Sequence, residues 1–215
     1  MPRTVSAELR REFGEIDIYL FDQLLRGRFD TRRRLLDAGC GFGRNLPYFL
    51  THGFELRLAD ADAGAISAAR QLMAESGVAL PPGQIHCGPL ESLPWDDGSS
   101  DAVICSAVLH FARDEQHFAS MLQEMWRVLA PGGLFFARLA TSIGLERQLS
   151  SAVGRVRLPD GSDRFVVDEP TLLNWTSTLG GALLDPIKTT NVQNMRCMTT
   201  WVVQKSNAAK PHHPA

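Results

Sequence analysis

Residues 35–45 of this 215-residue chain read Leu-Leu-Asp-Ala-Gly-Cys-Gly-Phe-Gly-Arg-Asn. The apolar start, Leu35–Ala38, is typical of a short buried strand, and a helix is predicted over Arg44–His52. The glycines between them allow a tight turn in which the backbone comes close to a ligand. The helix start offers unpaired N–H groups and a positive dipole end, so the pattern predicts a site for a carboxylate or phosphate.

The spacing of the glycines indicates which class of ligand the turn can bind. A dinucleotide turn has the pattern G-x-G-x-x-G, which would need a third glycine at position 44 or 46. Those positions hold Arg44 and Leu46, so a nicotinamide-dependent oxidoreductase is disfavoured. A nucleotide-binding P-loop is disfavoured as well, because no Gly-Lys-Ser/Thr follows. The remaining pattern is D-x-G-x-G-x-G, which begins at Asp37.

Strands and helices alternate beyond this turn. Further strands are predicted over Phe54–Asp60, Ile85–Cys87, Ala102–Ser106 and Leu134–Leu139. Helices with N-caps at Asp62 and Asp114 separate them, and Pro131-Gly132-Gly133 is expected to end the second of these helices. The alternation predicts an α/β fold with a doubly wound, mostly parallel, seven-stranded, Rossmann-like sheet.

The two ends of the chain have different patterns. Apolar residues at helical spacing over 5–26 predict one amphipathic helix or two short ones, so residues 1–34 are expected to form an N-terminal helical cap. The main domain is predicted to span residues 35–205. The tail, residues 206–215, is expected to be disordered.

After residue 140 the regular alternation stops. Arg155–Leu158 and Phe165–Val167 flank the turn residues Pro159-Asp160-Gly161-Ser162, which predicts a hairpin. Asp168 is a predicted N-cap for a further helix. Extended segments are predicted around 183–190 and 196–204.

The amino-acid composition excludes several classes of protein. The chain has 22 Lys+Arg against 24 Asp+Glu and a net charge of −2, so no general attraction to nucleic acid or an anionic membrane is expected. No apolar run predicts a signal peptide or a membrane span. Four cysteines occur without a C-x-x-C pair: Cys40, Cys87, Cys105 and Cys197. No metal site is therefore predicted, and a reducing cytoplasmic setting is expected.

Asp60 is the second candidate ligand contact. It ends the predicted second strand, 19 residues after Gly41, where a carboxylate can accept hydrogen bonds from both hydroxyls of a ribose. The alternative is that Asp60 or Asp62 only caps the following helix. We interpret Asp60 as the ribose ligand and Asp62 as the cap.

The pattern D-x-G-x-G-x-G resembles motif I of the class I S-adenosylmethionine-dependent methyltransferases. Residues 88–101 resemble the family's G-D-A-x-x-L-P-F-x-D-x-x-F-D segment, with Pro89 in place of its aspartate. The stretch 102–111 resembles the fourth motif, and Arg127-Val-Leu-Ala-Pro-Gly-Gly resembles R-x-L-x-P-G-G. The resemblance covers about residues 30–140 in the family's order.

This resemblance implies S-adenosylmethionine as cofactor and methyl transfer as activity. It implies these cofactor-binding residues: Asp37, Gly39, Cys40, Gly41, Gly43, Asp60, Ala61, Leu90 and Ser106. Because Pro89 replaces the aspartate that faces the adenine, the backbone of Leu90 is expected to reach the base. The segment 41–45, its spacing to Asp60 and the final Met-Thr-Thr-Trp-Val-Val also resemble tellurite-resistance methyltransferases, although residues 141–167 and Pro89 depart from that pattern.

Two residues are candidates for catalysis. His110 follows the fourth strand and can serve as a base or orient the acceptor, or it is a packed histidine. Arg138 ends the fifth strand and is expected either to contact an anionic acceptor or to form a structural ion pair. We expect the acceptor pocket between Ser106–Phe111, Arg138 and residues 141–167, under the N-terminal helix.

The default acceptor is a small molecule, because the chain shows no basic patch with interleaved aromatic residues and no added domain. Two alternatives stay open. One is a catalytically degenerate methyltransferase fold that serves as a binding module, and the other is a methyltransferase that acts on protein or RNA. The sequence does not indicate an oligomeric state.

Overall fold

The computed structural model describes residues 4–207. Its helices are α1 Val5–Phe13, α2 Ile18–Leu25, α3 Leu46–Thr51, α4 Ala63–Glu75, α5 Glu115–Val128 and α6 Glu169–Thr178. Its strands are β1 Arg34–Ala38, β2 Glu55–Asp60, β3 Ile85–Cys87, β4 Ser100–Ser106, β5 Leu129–Thr141, β6 Gly154–Arg157, β7 Asp163–Val166, β8 Gly181–Leu183, β9 Lys188–Val192 and β10 Arg196–Lys205. A 3₁₀ turn covers Leu109–Phe111.

The main sheet has the strand order β3-β2-β1-β4-β5-β10-β8. The first five of these strands pair in parallel, and β10 is antiparallel to β5. The predicted mostly parallel, Rossmann-like sheet is therefore confirmed. The reversal of strand order beside β1 leaves a crevice at the carboxyl ends of β1 and β4, where ligands bind in such sheets.

The sequence predicts seven strands, but two short strands, β8 and β9, occupy the last position of the sheet. Both β8 and β9 pair with β10, on the side that β5 does not occupy, which brings the sheet to eight strands. Pro186 lies between them and has no N–H to donate to a ladder. The buried Asp185 forms an ion pair with Arg28 at 2.7 Å, which holds the segment between β8 and β9 in place.

Helices cover both faces of the sheet because its side chains alternate. On one face, Val103 and Phe135 pack with residues of α5 and α6 such as Phe118 and Leu172. On the other face, residues such as Ile104 pack with α2, α3 and α4. This arrangement confirms the doubly wound architecture and makes the sheet a rigid support for loops at its carboxyl edge.

Several boundaries differ from the sequence prediction, and the largest difference is between α5 and β5. Helix α5 ends at Val128, and β5 starts at Leu129, runs through Pro131-Gly132-Gly133 and ends at Thr141. The predicted strand, Leu134–Leu139, was therefore too short. Leu129 already pairs with Ser100, and an irregularity in the β4–β5 pairing accommodates the Pro-Gly-Gly residues without ending the strand.

The other predicted elements are present. The N-terminal segment forms two short helices, α1 and α2, and β6 and β7 form the predicted antiparallel hairpin. The predicted disordered tail, residues 206–215, lies outside the described residues from position 208 onward. No helix within residues 4–207 has the length and apolar character that crossing a membrane requires.

Candidate functional site

A cavity of about 670 Å³ lies at the carboxyl ends of the parallel strands. Its wall is built from the glycine turn after β1, the end of β2, the segment Pro89–Glu91, the turn after β4 and the start of α5. Glu15, between α1 and α2, adds a side chain from the N-terminal cap. The volume lies within the range of about 300–1,000 Å³ that is usual for small-molecule sites.

The glycine turn brings backbone directly to the cavity. Gly39 has φ +78°, and a Cβ there would clash with a methyl carbon of Val108. Gly41 has φ +53°, and a Cβ there would meet no atom within 4 Å. Both glycines line the cavity, so Gly39 is required for packing, whereas Gly41 leaves open space for a ligand. Gly43 packs against Leu72 instead and does not line the cavity.

Asp60 and Asp62 have the separate positions that the sequence predicts. One carboxylate oxygen of Asp60 accepts the N–H of Gly41 at 2.8 Å, and the other accepts the N–H of Asp62 at 2.9 Å. Asp60 lines the cavity and is oriented by the glycine turn itself. The Asp62 side chain accepts the N–H of Gly64 at 2.8 Å and caps α4. The predicted cap is confirmed, and the ribose contact of Asp60 stays a prediction.

Asp37 lies behind the glycine turn and is only 2% exposed. Within the described part of the chain, its Oδ2 atom has no hydrogen-bond partner. Burial raises the pKa of its carboxyl to about 7, since the charged form loses its hydration. A buried carboxylate oxygen without a partner is costly, and a cationic group of a ligand near the turn would offset that cost.

Of the nine predicted cofactor-binding residues, seven line the cavity: Gly39, Cys40, Gly41, Asp60, Ala61, Leu90 and Ser106. Asp37 and Gly43 support the turn from outside the cavity wall. Pro89 lines the cavity beside Leu90. Within residues 4–207, no group of three or more His, Cys, Asp and Glu side chains is arranged to hold a metal ion.

The two predicted catalytic residues do not line the cavity. His110 is 5% exposed, and its Nδ1 accepts the N–H of Ala140 at 3.2 Å. Burial and the nearby arginines Arg164 and Arg138 lower its pKa to about 4, so the ring is neutral at pH 7. Arg138 forms a structural ion pair with Asp17, one of the two alternatives that its position left open.

Asp17 joins the N-terminal cap to the sheet. Its buried Oδ2 accepts hydrogen bonds from Arg44 and Arg138, each at 3.3 Å, and from Ser106 at 3.1 Å. Its backbone N–H donates to the side chain of Asn45 at 3.0 Å. Four segments that are distant in sequence therefore meet at one carboxylate. The Ser106 hydroxyl takes part in this network while the residue lines the cavity.

The turn after β4 carries a strained backbone. Ala107 has φ +65°, which is rare for a residue with a side chain, and its N–H donates to the carbonyl of Arg138 at 2.7 Å. Ala107 and Val108 line the cavity. Strained backbone of this kind is concentrated at functional sites, so the turn is a candidate for positioning a ligand. Alanine gives no turn signal, so sequence reasoning missed it.

An ionic group on the cavity wall was also missed. The ring Nδ1 of His117 accepts the N–H of Arg113 at 3.1 Å, which leaves Nε2 to donate to Glu91, 3.2 Å away. The guanidinium of Arg113 lies 3.6 Å from the same carboxylate. The three side chains come from the segment after β3 and from the start of α5, so only the folded chain brings them together.

Comparisons with known proteins agree with this fold. Residues 36–137 match the family model described as "Methyltransferase domain". An uncharacterised methyltransferase of Bacillus subtilis (strain 168), YodH, is 34% identical over 115 residues, which cover 54% of this chain and 43% of that protein. The tRNA 5-carboxymethoxyuridine methyltransferase of Escherichia coli (strain K12) is 30% identical over 142 residues, which cover 66% of this chain and 52% of that one. The chain spans about half the length of these curated relatives.

A solved structure supports the fold. The 1,6-didemethyltoxoflavin-N1-methyltransferase of Burkholderia thailandensis, with bound 1,6-didemethyltoxoflavin and S-adenosylhomocysteine, aligns with a TM-score of 0.65 and 17% identity. The alignment covers 85% of this chain and 75% of that one. Over residues 36–137 the chain therefore matches a methyltransferase domain, and its fold is the Rossmann-like fold of class I S-adenosylmethionine-dependent methyltransferases.

Proposed function

We propose that this protein transfers the methyl group of S-adenosylmethionine to a small-molecule acceptor, with the donor in the 670 Å³ cavity. One observation carries the proposal. The open space beside Gly41 lies next to the carboxylate of Asp60, which the Gly41 N–H holds in place. A site for the methionine part and a site for the ribose are therefore adjacent on one wall.

The residues around the cavity match the chemical groups of the donor. The turn at Gly39 and Gly41 gives the methionine part access to backbone, and Asp60 can accept hydrogen bonds from the ribose. Asp37 lies behind the cavity wall, where its unpartnered Oδ2 adds negative potential for the donor's ammonium group. Leu90 and Met121 add apolar wall for the adenine.

Bound S-adenosylmethionine supplies a reactive methyl group, because its sulfur carries a positive charge. The protein's part is to align the acceptor, exclude water and, for a protonated acceptor, remove a proton. The strained turn at Ala107 and Val108 offers a fixed surface for alignment. Glu15 and Glu91 also lie on the wall and can accept a proton, whereas the Nδ1 of His110 is used by Ala140 and both ring nitrogens of His117 are engaged.

The class of acceptor is the finer part of the proposal. The name of the Escherichia coli relative specifies a tRNA nucleoside, and the Burkholderia structure contains a small molecule. We favour a small molecule because the net charge of −2 gives no general attraction to RNA and the cavity has the size of a small-molecule site.

Binding of the donor is the first test. We expect S-adenosylmethionine and S-adenosylhomocysteine to bind with micromolar dissociation constants in isothermal titration calorimetry, and NAD to give no heat. Labelled donor is then incubated with a small-molecule extract and, separately, with total RNA. Label in RNA alone would contradict a small-molecule acceptor. Binding without transfer to any fraction would favour the degenerate binding module, and no binding of either ligand at millimolar concentration would overturn the proposal.

The two aspartates after β2 provide a second test. Asp60→Ala should weaken S-adenosylhomocysteine binding by about 1–3 kcal/mol, because the ribose hydroxyls and the Gly41 N–H lose a charged acceptor. Asp62→Ala removes only the cap of α4, so it should lower the free energy of unfolding by about 1 kcal/mol and leave donor affinity nearly unchanged. Calorimetry and urea unfolding of both variants measure this, and exchanged effects would show that the ribose ligand is misassigned.

A further inference from the structure

An arginine that has no ionic partner within residues 4–207 stacks on Phe111, a residue of the cavity wall. Phe111 lines the cavity and is 56% exposed. The guanidinium carbon of Arg164, on β7, lies 4.9 Å from the centroid of the Phe111 ring. Arg164 donates one hydrogen bond to the carbonyl of Asp163 at 2.8 Å, and no carboxylate in residues 4–207 comes within 4.0 Å of it. The hairpin formed by β6 and β7 therefore places a positive charge against an aromatic side chain of the cavity wall.

The acidic groups near Arg164 are occupied by other partners. Asp160 accepts hydrogen bonds from the N–H and hydroxyl of Ser162 and lies 3.7 Å from Arg196. Asp163 is paired with Arg157 at 2.7 Å. The charge of Arg164 contributes to the lowered pKa of Asp160, but the two side chains are not in contact, so the guanidinium keeps hydrogen-bond donors for a ligand.

Other cations increase the positive potential of the same turn. Arg155, on β6, donates to the carbonyl of Ala112 at 3.2 Å. Arg113 lines the cavity with 70% of its side chain exposed, and shares its charge with Glu91. The pKa of His110 is lowered by burial and by the charges of Arg164, Arg138 and Arg196, as expected where positive potential converges.

We propose that the methyl acceptor carries a carboxylate and that Arg164 binds this group, while the apolar part of the acceptor lies on Phe111. The inference rests on the proposed function and specifies its acceptor. A guanidinium binds a carboxylate through two parallel hydrogen bonds, and its stacking on a ring limits the freedom that binding would remove. Phe42, which is 73% exposed, adds apolar surface at the same cavity.

A carboxylate suits this site better than a phosphate. Arg164 supplies one charge, part of which Asp160 already compensates, and Arg113 on the cavity wall is partly neutralised by Glu91. The helix start that faces this region is already capped by Asp114, whose side chain accepts the N–H of His117 at 2.7 Å. The site therefore offers little for the second charge of a phosphate monoester.

The test uses the full chain saturated with S-adenosylhomocysteine. A panel of aryl and alkyl carboxylates that also carry a hydroxyl or amino group, starting with 4-hydroxyphenylacetate, is titrated calorimetrically, each compound with its amide and its phosphate-ester counterpart. In transfer, the bond from the donor's sulfur to the methyl carbon breaks, a bond to that oxygen or nitrogen forms, and its proton is released to solvent. The same panel is offered with labelled donor to detect methylated products. We expect at least one carboxylate to bind at least tenfold more tightly than its amide and to be methylated.

Three variants localise the recognition. Arg164→Gln should weaken binding of that carboxylate, or raise its KM, by about tenfold or more, as expected for loss of a charge-assisted hydrogen bond. Arg164→Lys should retain part of the binding. Arg157→Gln is the matched control, because Arg157 lies on the same hairpin and is paired with Asp163 away from the ring. Affinity for S-adenosylhomocysteine should be unchanged in all three, which verifies that the proteins are folded.

Each outcome has a distinct meaning. Failure of the unmodified protein to bind S-adenosylhomocysteine would overturn the proposed function itself. If it binds that ligand but no carboxylate is preferred to its amide, or if phosphate esters bind best, the carboxylate assignment is wrong. Equal effects of Arg164→Gln and Arg157→Gln would also overturn it, because a general loss of positive charge would then explain the result.

Discussion

Gly41→Val should abolish binding of S-adenosylhomocysteine, with a loss of at least 100-fold, in a protein that still folds. A side chain at this position meets no atom of the protein within 4 Å, so it would occupy the space that the methionine part requires. The left-handed backbone, with φ +53°, adds strain of about 1–2 kcal/mol for a residue with a Cβ. A loss of 100-fold corresponds to about 2.7 kcal/mol of binding free energy. Calorimetry and urea unfolding measure the two effects.

Gly53→Val is the matched control for this experiment. Gly53 lies in the turn between α3 and β2, has φ +72° and also has open space at its Cβ position. Valine there should cause a similar loss of folding stability while donor binding is retained, because Gly53 does not line the cavity. If Gly41→Val binds the ligand as well as Gly53→Val does, the glycine turn does not approach the donor.

Asp17→Ala should lower the free energy of unfolding by about 1–3 kcal/mol, because Arg44, Arg138 and Ser106 lose a shared buried acceptor. The side chain of Asp17 is 1% exposed and accepts from Arg44, Arg138 and Ser106. Without it, two guanidinium groups would face each other at the cavity's edge. The cap residues should then exchange their amide hydrogens faster, which hydrogen exchange measures over residues 5–25.

Asp22→Ala is the control for the loss of a carboxylate in the same cap. Asp22 is paired with Arg26 at 2.8 Å, and both side chains are more than a third exposed. Such surface pairs contribute about 0–1 kcal/mol, so this variant should unfold nearly as the unmodified protein does. Similar destabilisation by the two substitutions would mean that Asp17 does not hold the cap to the sheet.

The parts of the structure that depend on local pattern could be predicted from the sequence. The strand Leu35–Ala38, the glycine turn and the cap at Asp62 each follow from residues that are neighbours in the chain. The position of Asp60 beside the turn also follows, because parallel strands end at the same edge of a sheet. These elements place five of the predicted ligand residues on the cavity wall: Gly39, Cys40, Gly41, Asp60 and Ala61.

The parts that depend on distant contacts could not be predicted. Asp17 meets Arg138 across 121 positions of sequence, and no local pattern marks either residue as the other's partner. The predicted acceptor pocket included residues 141–167, but none of them lines the cavity. That segment contacts the cavity wall only indirectly. Arg164 stacks on Phe111, and Arg155 donates a hydrogen bond to the carbonyl of Ala112. The 3₁₀ turn Leu109–Phe111 lies between the segment and the cavity.

The distribution of the cysteines has a practical consequence for spectroscopy. Cys87, at the end of β3, is exposed, whereas Cys40, Cys105 and Cys197 are buried. Burial raises the thiol pKa of Cys40 and Cys105, which leaves little reactive thiolate there. A maleimide dye therefore has a single accessible attachment point in the unmodified chain between residues 4 and 207. That point lies one residue before Gly88 and close to the segment Pro89–Glu91, so the dye's emission can report occupancy of the cavity in real time.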